Sequence, residues 1–273
     1  MSIFVDCHVH LYPGYDLAEL YASAWSNARR AVQHARGATQ ELTQVALLLS
    51  ERSGQEEFRR LVSSPPVLPG MGVHISSDGS ALVLTSTSQP RSPLFLFAGR
   101  QLVAKEGIEV LSLIGNVEID EDLPAADLID AIVSSGGVPC LPWSPGKWLF
   151  GRGAVVKNLC SRHRSVLTLG DIPMRPCGLP ALGPANKWSK GVPLLAGTDV
   201  LPLPRENLAI GSFGTWYRST IDEQAPAPAL RLLLRQPGSL MGNRNSFKRA
   251  LTRWLRLRKA SKRARTALPN TQI

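Results

Sequence analysis

The chain has 273 residues, 44% hydrophobic and 19% charged, enough to bury a sizeable core and too apolar for intrinsic disorder. Its apolar runs are short, Val45-Ala46-Leu47-Leu48-Leu49 being typical, which argues against a membrane span of ~20 residues. Ten basic residues fall between Arg244 and Arg265 and no acid follows Glu223, so the net charge of +10 belongs to this end, and the body balances 21 Lys and Arg against 21 Asp and Glu.

The N-terminus enters Ser2-Ile3-Phe4-Val5-Asp6 without the basic and apolar regions of a secretory signal. Residues 3–9 read as a first strand. Residues 16–35 follow as a helix, with Asp16 as N-cap and Leu17, Leu20, Tyr21, Ala24 and Ala28 at helical spacing. A second strand covers about 43–49 and a polar helix 54–62. Between 71 and 114, short strands separated by turn signals (Ser77-Asp78-Gly79, Gln89-Pro90, Lys105-Glu106-Gly107) predict β-hairpins.

The alternation then resumes. A strand at 109–114 precedes a helix at 124–135, which stops at Gly136-Gly137. Strands at 138–142, 165–170 and 192–197 and a helix near 147–160 complete the repeat, and 226–235 and 245–260 read as helices. This is the pattern of an α/β protein with a parallel sheet. The four cysteines, Cys7, Cys140, Cys160 and Cys177, show no paired spacing. Two of them fall in expected buried strands, so reduced thiols and a cytoplasmic location are expected.

The sharpest chemical signal is Asp6-Cys7-His8-Val9-His10 at the end of the first strand. Alternate residues of a strand share a face, so Asp6, His8 and His10 are expected to point together, where two imidazoles can hold a divalent metal. Ala196-Gly197-Thr198-Asp199 closes a later strand, a position suited to a metal ligand or general base, or to a carboxylate that caps the following turn. Leu169-Gly170-Asp171 ends another strand in the same way, with Arg175 close behind; Asp171 reads equally as a loop cap. Trp143-Ser144-Pro145-Gly146-Lys147-Trp148 offers a cation at Lys147 and two indoles as pocket walls, or indoles that merely fill space. Of the remaining histidines, His163 lies at the wrong end of a strand, His34 on a polar helix and His74 among the hairpins.

These motifs resemble the PHP (polymerase and histidinol phosphatase) family. Asp6-x-His8-x-His10 is similar to its opening metal motif, Ala131 to Trp143 to the segment ending in Ala-His-Pro, and Gly197-Thr198-Asp199 to its closing Gly-Ser-Asp-x-His. The resemblance implies a distorted (β/α) TIM-like barrel over residues 1–240, carrying a hairpin insertion, and hydrolysis of phosphoesters with two or three metal ions. The chain departs from the pattern at Pro142-Trp143, where the family has a histidine, and at Leu201, where it has its last one. The family's Gly-x-Glu strand fits in two registers, one placing Gln101 at the carboxylate and Leu111 at a further histidine, the other placing Glu109 at the carboxylate.

The expectation is therefore a metal-dependent hydrolase with a reduced site. Its ligands would come from His8, His10, Asp199, Asp6, Glu109 and Asp171, with Asp199, Lys147 and Arg175 serving catalysis or a small anionic substrate. The cofactor would be Zn, Mn or Fe, a single ion, or none if the site is wholly dismantled. The alternatives are a non-catalytic barrel that binds a ligand or partner, and an amidohydrolase or TatD-like nuclease.

Residues 241–273 are expected as a basic amphipathic helix and tail. Phe247, Leu251, Trp254 and Leu255 form a stripe. The first expectation is that this stripe docks on the body; the others are contact with an acidic membrane surface, leaving the protein peripheral to it, or with nucleic acid.

Overall fold

A computed structural model describes residues 1–37, 41–115, 119, 122–144, 148, 151–177 and 189–267, the last segment with side chains to Ala260. Among the described residues, twelve strands form two sheets. The seven-stranded sheet contains β1 (Ile3–Val9), β2 (Gln44–Leu49), β3 (Met71–Ile75), β4 (Ala81–Ser86), β5 (Gln89–Phe97), β11 (Phe213–Tyr217) and β12 (Ser239–Gly242), in the order β12-β11-β1-β2-β5-β4-β3. The five-stranded sheet contains β6 (Gly99–Val103), β7 (Glu109–Leu113), β8 (Val138–Pro142), β9 (Thr168–Asp171) and β10 (Leu194–Ala196), in the order β10-β9-β8-β7-β6.

The closed TIM-like barrel expected from the PHP resemblance is not formed. Among the strand pairings of the described residues, only β1-β2-β5 and β8-β9-β10 run parallel, besides the isolated bridge between Glu51 and Arg100. The first sheet continues sideways through the antiparallel hairpins β5-β4-β3 instead of folding round. On its other flank, β11 and β12 pair antiparallel beside β1. The sheets meet at the isolated bridge between Glu51 and Arg100, with bonds from Glu51 N to Gly99 O (3.0 Å) and Gln101 N to Glu51 O (2.8 Å), at the bond from Asp199 N to His8 O (2.8 Å) and at that from Ala196 N to Thr215 Oγ1 (2.8 Å). A barrel needs a continuous ladder, and a few isolated bonds at the edges do not make one.

Strand periodicity sets the layers. Ile3, Val5 and Cys7 of β1 meet Ala46, Leu48, Phe95 and Phe97 on one face, and against them pack Leu111, Leu113, Val138, Cys140 and Leu195 of the second sheet. This core between the sheets also receives Leu230 and Leu234 of helix α5 (Pro226–Leu234). The opposite face of the first sheet, through Phe4, Val45, Leu47, Leu94 and Leu96, is covered by helices α1 (Leu17–Arg36) and α2 (Glu57–Ser63). The outer face of the second sheet is covered by α3 (Ala125–Ser134) and α4 (Gly151–Arg162). Asp16 caps α1 by accepting from Glu19 N at 2.8 Å, as the sequence predicts.

Asp171 and Arg175 serve this architecture. The guanidinium of Arg175, completely buried, donates to both Asp171 oxygens at 2.7 and 2.5 Å, and Arg244 Nε donates to Oδ2 at 2.9 Å. Cys177 N and Asn245 N add bonds to Asn245 O and Pro173 O. The chain after β12 is thus tied to the end of β9. The domain boundary expected at residue 240 falls inside β12.

Helix α6 (Phe247–Ala267) does not dock through its apolar stripe. Phe247, Leu251, Trp254 and Leu255 are 70%, 45%, 41% and 47% exposed, whereas Ala250 is buried and Arg253 pairs with Glu206. The helix meets the body along a narrower edge, because an ion pair and an alanine fit where a row of large side chains would not.

Removing one partner of a buried ion pair leaves the other charge uncompensated, at a cost of about 3–5 kcal/mol. Asp171→Ala is expected to lower the free energy of unfolding in urea by this amount. Arg244→Ala, whose side chain is partly solvated, is expected to cost less than about 1.5 kcal/mol.

Candidate metal centre

The site begins with a defect in β1. Asp6 pairs with Leu47 and Val9 with Leu49 of β2, so β1 carries one residue more than its partner between these points. Such a bulge reverses which face the following side chains take. Before it, Asp6 lies on the α1 side with Phe4; after it, His8 and His10 turn to the opposite face. The expectation that Asp6, His8 and His10 share a face fails here, because simple alternation does not survive an inserted residue.

Asp6 is accordingly not among the metal donors. Its fully buried carboxylate accepts from Thr198 N (2.8 Å), Thr198 Oγ1 (2.6 Å), Gly211 N (3.0 Å) and His8 N (3.4 Å). Burial raises its pKa to about 6, against the hydrogen bonds from Thr198 and Gly211 that act to lower it. It clamps the loop after β10 to the end of β1. Gly197 makes the approach sterically feasible: a Cβ there would lie 2.3 Å from His8 N and 2.6 Å from His8 Cβ. The chain then turns at Asp199 with φ of 44°, a left-handed conformation that aspartate tolerates better than most residues.

The result is a convergence of three side chains. His8 Nε2 lies 3.2 Å from His10 Nε2, and Asp199 Oδ1 lies 3.6 and 3.4 Å from these two nitrogens. Both imidazoles are buried, while the carboxylate is partly open to solvent. Among the described residues this is the group of His, Cys, Asp and Glu donors close enough to hold an ion together. Ligand atoms ~2.0–2.1 Å from a tetrahedral zinc are separated by roughly 3.3 Å, which the three observed separations bracket. The donor set fits one divalent ion.

Electrostatics suit the same arrangement. Burial pulls the His8 imidazole below its ordinary value, against the opposing pull of Asp199. Burial acts to raise Asp199, but His8, His10 and Arg52 outweigh it and hold the carboxyl well below the usual carboxylate range. A neutral imidazole beside an ionised carboxylate is the protonation state a metal requires. Among the described residues, the buried Nδ1 atoms of both histidines have no acceptor within hydrogen-bond geometry, Gln101 being the polar side chain that acts on His8.

The other expected site residues are dispersed. Asp171 and Arg175 are consumed by their own ion pair. Glu109 and Gln101, the two rival carboxylate positions, both act on His8, Glu109 as a negative charge and Gln101 as a hydrogen-bonding neighbour, but neither belongs to the donor cluster. Leu111 is in the core between the sheets. Lys147 lies outside the described residues. Trp143 and Trp148 are buried under α3 and α4, with Trp148 Nε1 donating to Pro142 O at 3.0 Å, so the indoles do not wall the site. His163 pairs with Asp130 at 3.3 Å, away from the cluster.

Two nearby residues escaped the sequence reading. The Tyr12 ring lies 6.1 Å from His10, and its hydroxyl donates to Val200 O at 3.3 Å. Burial raises the Tyr12 pKa, with Arg52 acting the other way. The exposed Arg52 acts electrostatically on both Tyr12 and Asp199. Each follows the C-terminal end of a strand, β1 or β2, where ligands of parallel sheets commonly bind; a search of the residues after each strand end would have found them.

Gly197→Ala tests the close approach. Overpacking costs about 1–3 kcal/mol, and the displaced Asp199 should lower the affinity for Zn at least tenfold in a competition assay. Unchanged affinity would show that the contact between the two strand ends does not set the site.

No protein-family model matches the chain, and no curated protein matches it. Among solved structures it is similar to the crystal structure of PsfC from Pseudomonas syringae PB-5123, with a TM-score of 0.52 and 15% identity, over 95% of this chain and 98% of that one. At that identity the likeness concerns the fold.

Proposed function

We propose that this chain is a metal-dependent hydrolase acting on a phosphoester or a related bond, PHP-like in its metal motif and reduced to one ion held by His8, His10 and Asp199. The observation that carries the reading is the meeting of two buried imidazoles and one carboxylate at the spacing of a tetrahedral site. Two imidazoles and a carboxylate with an open position suit Zn, Mn or Fe. A bound divalent ion supplies Lewis acidity toward a phosphoryl oxygen and lowers the pKa of water from ~15.7 to about 7.

The protein's own groups do the rest. Burial keeps His8 available as a neutral donor. With one anionic donor, the set leaves a net positive charge on the ion, which favours an anionic substrate. The exposed Arg52 adds a second positive charge that acts on Asp199, in the role expected of Lys147 or Arg175. Gln101 and Glu109 flank His8 and supply polar contacts.

Metal analysis of the purified full chain is expected to find about one equivalent of Zn, Mn or Fe, lost in His8→Ala/His10→Ala together with hydrolysis of p-nitrophenyl phosphate or its bis ester. A metal-free, inactive protein whose stability the double change leaves untouched would favour a non-catalytic binding protein instead.

We also propose that α6 attaches the protein to an anionic membrane surface. Among the described residues no helix is long and apolar enough to cross a membrane. The exposed Phe247, Leu251, Trp254 and Leu255 lie beside Lys248, Arg256, Arg258 and Lys259, the combination that inserts at a headgroup boundary. Nucleic acid would engage the cations and leave the apolar stripe uncovered. Co-sedimentation with phosphatidylserine vesicles is expected, weakened at least tenfold by Leu251→Ser/Trp254→Ser. Retention on DNA but not on vesicles would overturn this reading.

A further inference from the structure

Helix α1, the short 3-10 turn at Glu206–Ala209 and the start of α6 enclose a cleft of roughly 570 Å³ that none of the three metal donors lines. Its lining is strongly cationic. Arg30, Arg205, Arg249 and Arg253 all contribute, with Glu206 as the one acid among the lining residues. Glu206 is already taken by Arg253 and by the backbone N–H of Leu201. Arg30, Arg205 and Arg249 have no acidic partner among the described residues, and Arg30 makes only a long bond of 3.4 Å to Ser26 Oγ.

Two further features set this cleft apart from an ordinary solvated basic face. Asn245, only 8% exposed, lines it with an Nδ2 that has no hydrogen-bond partner, an unsatisfied buried donor of the kind that a ligand oxygen satisfies. Arg205 adopts φ of 67°, a left-handed backbone that is uncommon for a residue of its size and that marks functional positions more often than chance. Three unpaired guanidiniums around one concavity repel one another unless an anion lies between them, and their planar donor forks match phosphate and carboxylate oxygens.

We infer that this cleft is a second binding site, separate from the metal centre, for a soluble phosphorylated small molecule with two or more negative charges. The volume lies within the range of small-ligand sites. None of His8, His10 and Asp199 lines the cleft, but Thr198 does. The residue that Asp6 clamps, next in sequence to the donor Asp199, therefore belongs to the cleft lining.

Calorimetric titration of the full chain with inorganic pyrophosphate tests the assignment, run in parallel on His8→Ala/His10→Ala and on Arg30→Gln/Arg205→Gln. Arg30 and Arg205 are exposed, so the second variant keeps its melting temperature and metal content. The expected result is saturable one-to-one binding in the wild type and in the histidine variant, and at least tenfold weaker binding in the arginine variant. Arg30→Lys/Arg205→Lys, which keeps the charge but loses the fork, falls between. Loss of binding in the histidine variant would place pyrophosphate at the metal centre and overturn the inference. So would wild-type affinity in the Arg30→Gln/Arg205→Gln protein, the absence of saturation, or binding of phosphatidylserine vesicles but not of pyrophosphate.

Discussion

The hydrogen bonds that Asp6 accepts from Thr198 and Gly211 hold together parts of the chain that are about two hundred residues apart in sequence. This carboxylate lies at full burial, where an unpaired charge would be costly, and its four donors turn that cost into a fixed geometry. Through Thr198 it draws the end of β10 against the end of β1, at a point where Gly197 leaves space for nothing larger than a hydrogen. The two sheets have no continuous ladder between them, so this clamp, the Asp199–His8 backbone bond and the bridge at Glu51 and Arg100 set how their edges meet. Everything proposed for the metal centre depends on that edge.

Placed this way, the ligand set is spare but coherent. Two buried imidazoles and one half-open carboxylate can bind an ion and still leave positions for a substrate and water. A family that uses two or three ions can clamp a phosphoryl group from both sides, and a single ion with Arg52 offers less charge neutralisation. Phosphate monoesters are among the slowest bonds to hydrolyse without catalysis, so a one-ion centre is better matched to a less demanding bond, a diester or a related ester. The unpartnered Nδ1 of His10 points the same way: an ion there would be held less tightly than in a site with a full outer shell.

Much of the local structure was legible from residue patterns. Alternation and length gave β1, β2, β8 and the hairpins between 71 and 114, and Asp16 announced the start of α1. The overall closure was not legible. β11 and β12 are short segments, Phe213–Tyr217 and Ser239–Gly242, each containing a glycine, and runs of five and four residues are too short for a period to separate a strand pair from a loop. The ring of strands is what the PHP resemblance implies, whereas hairpins without intervening helices widen a sheet sideways. At the site, His8, His10 and Asp199 were found from their positions at strand ends. Asp6 was misread because a bulge is invisible to period-two counting, and Asp171 because a carboxylate at a strand end looks the same whether it awaits a metal or an arginine. The apolar stripe on α6 is legible in the sequence and its failure to dock on the body is not: amphipathicity reveals that a face is apolar and leaves open what covers it.

The most direct measurement is X-ray absorption at the metal edge of the full-length protein reconstituted with one equivalent of zinc. The account predicts a four-coordinate ion with two imidazole nitrogens at ~2.0–2.1 Å and the remaining shell of oxygen. A spectrum without imidazole scattering, or with a sulfur shell from one of the four cysteines, would contradict it, because the ion would then lie elsewhere than between the ends of β1 and β10.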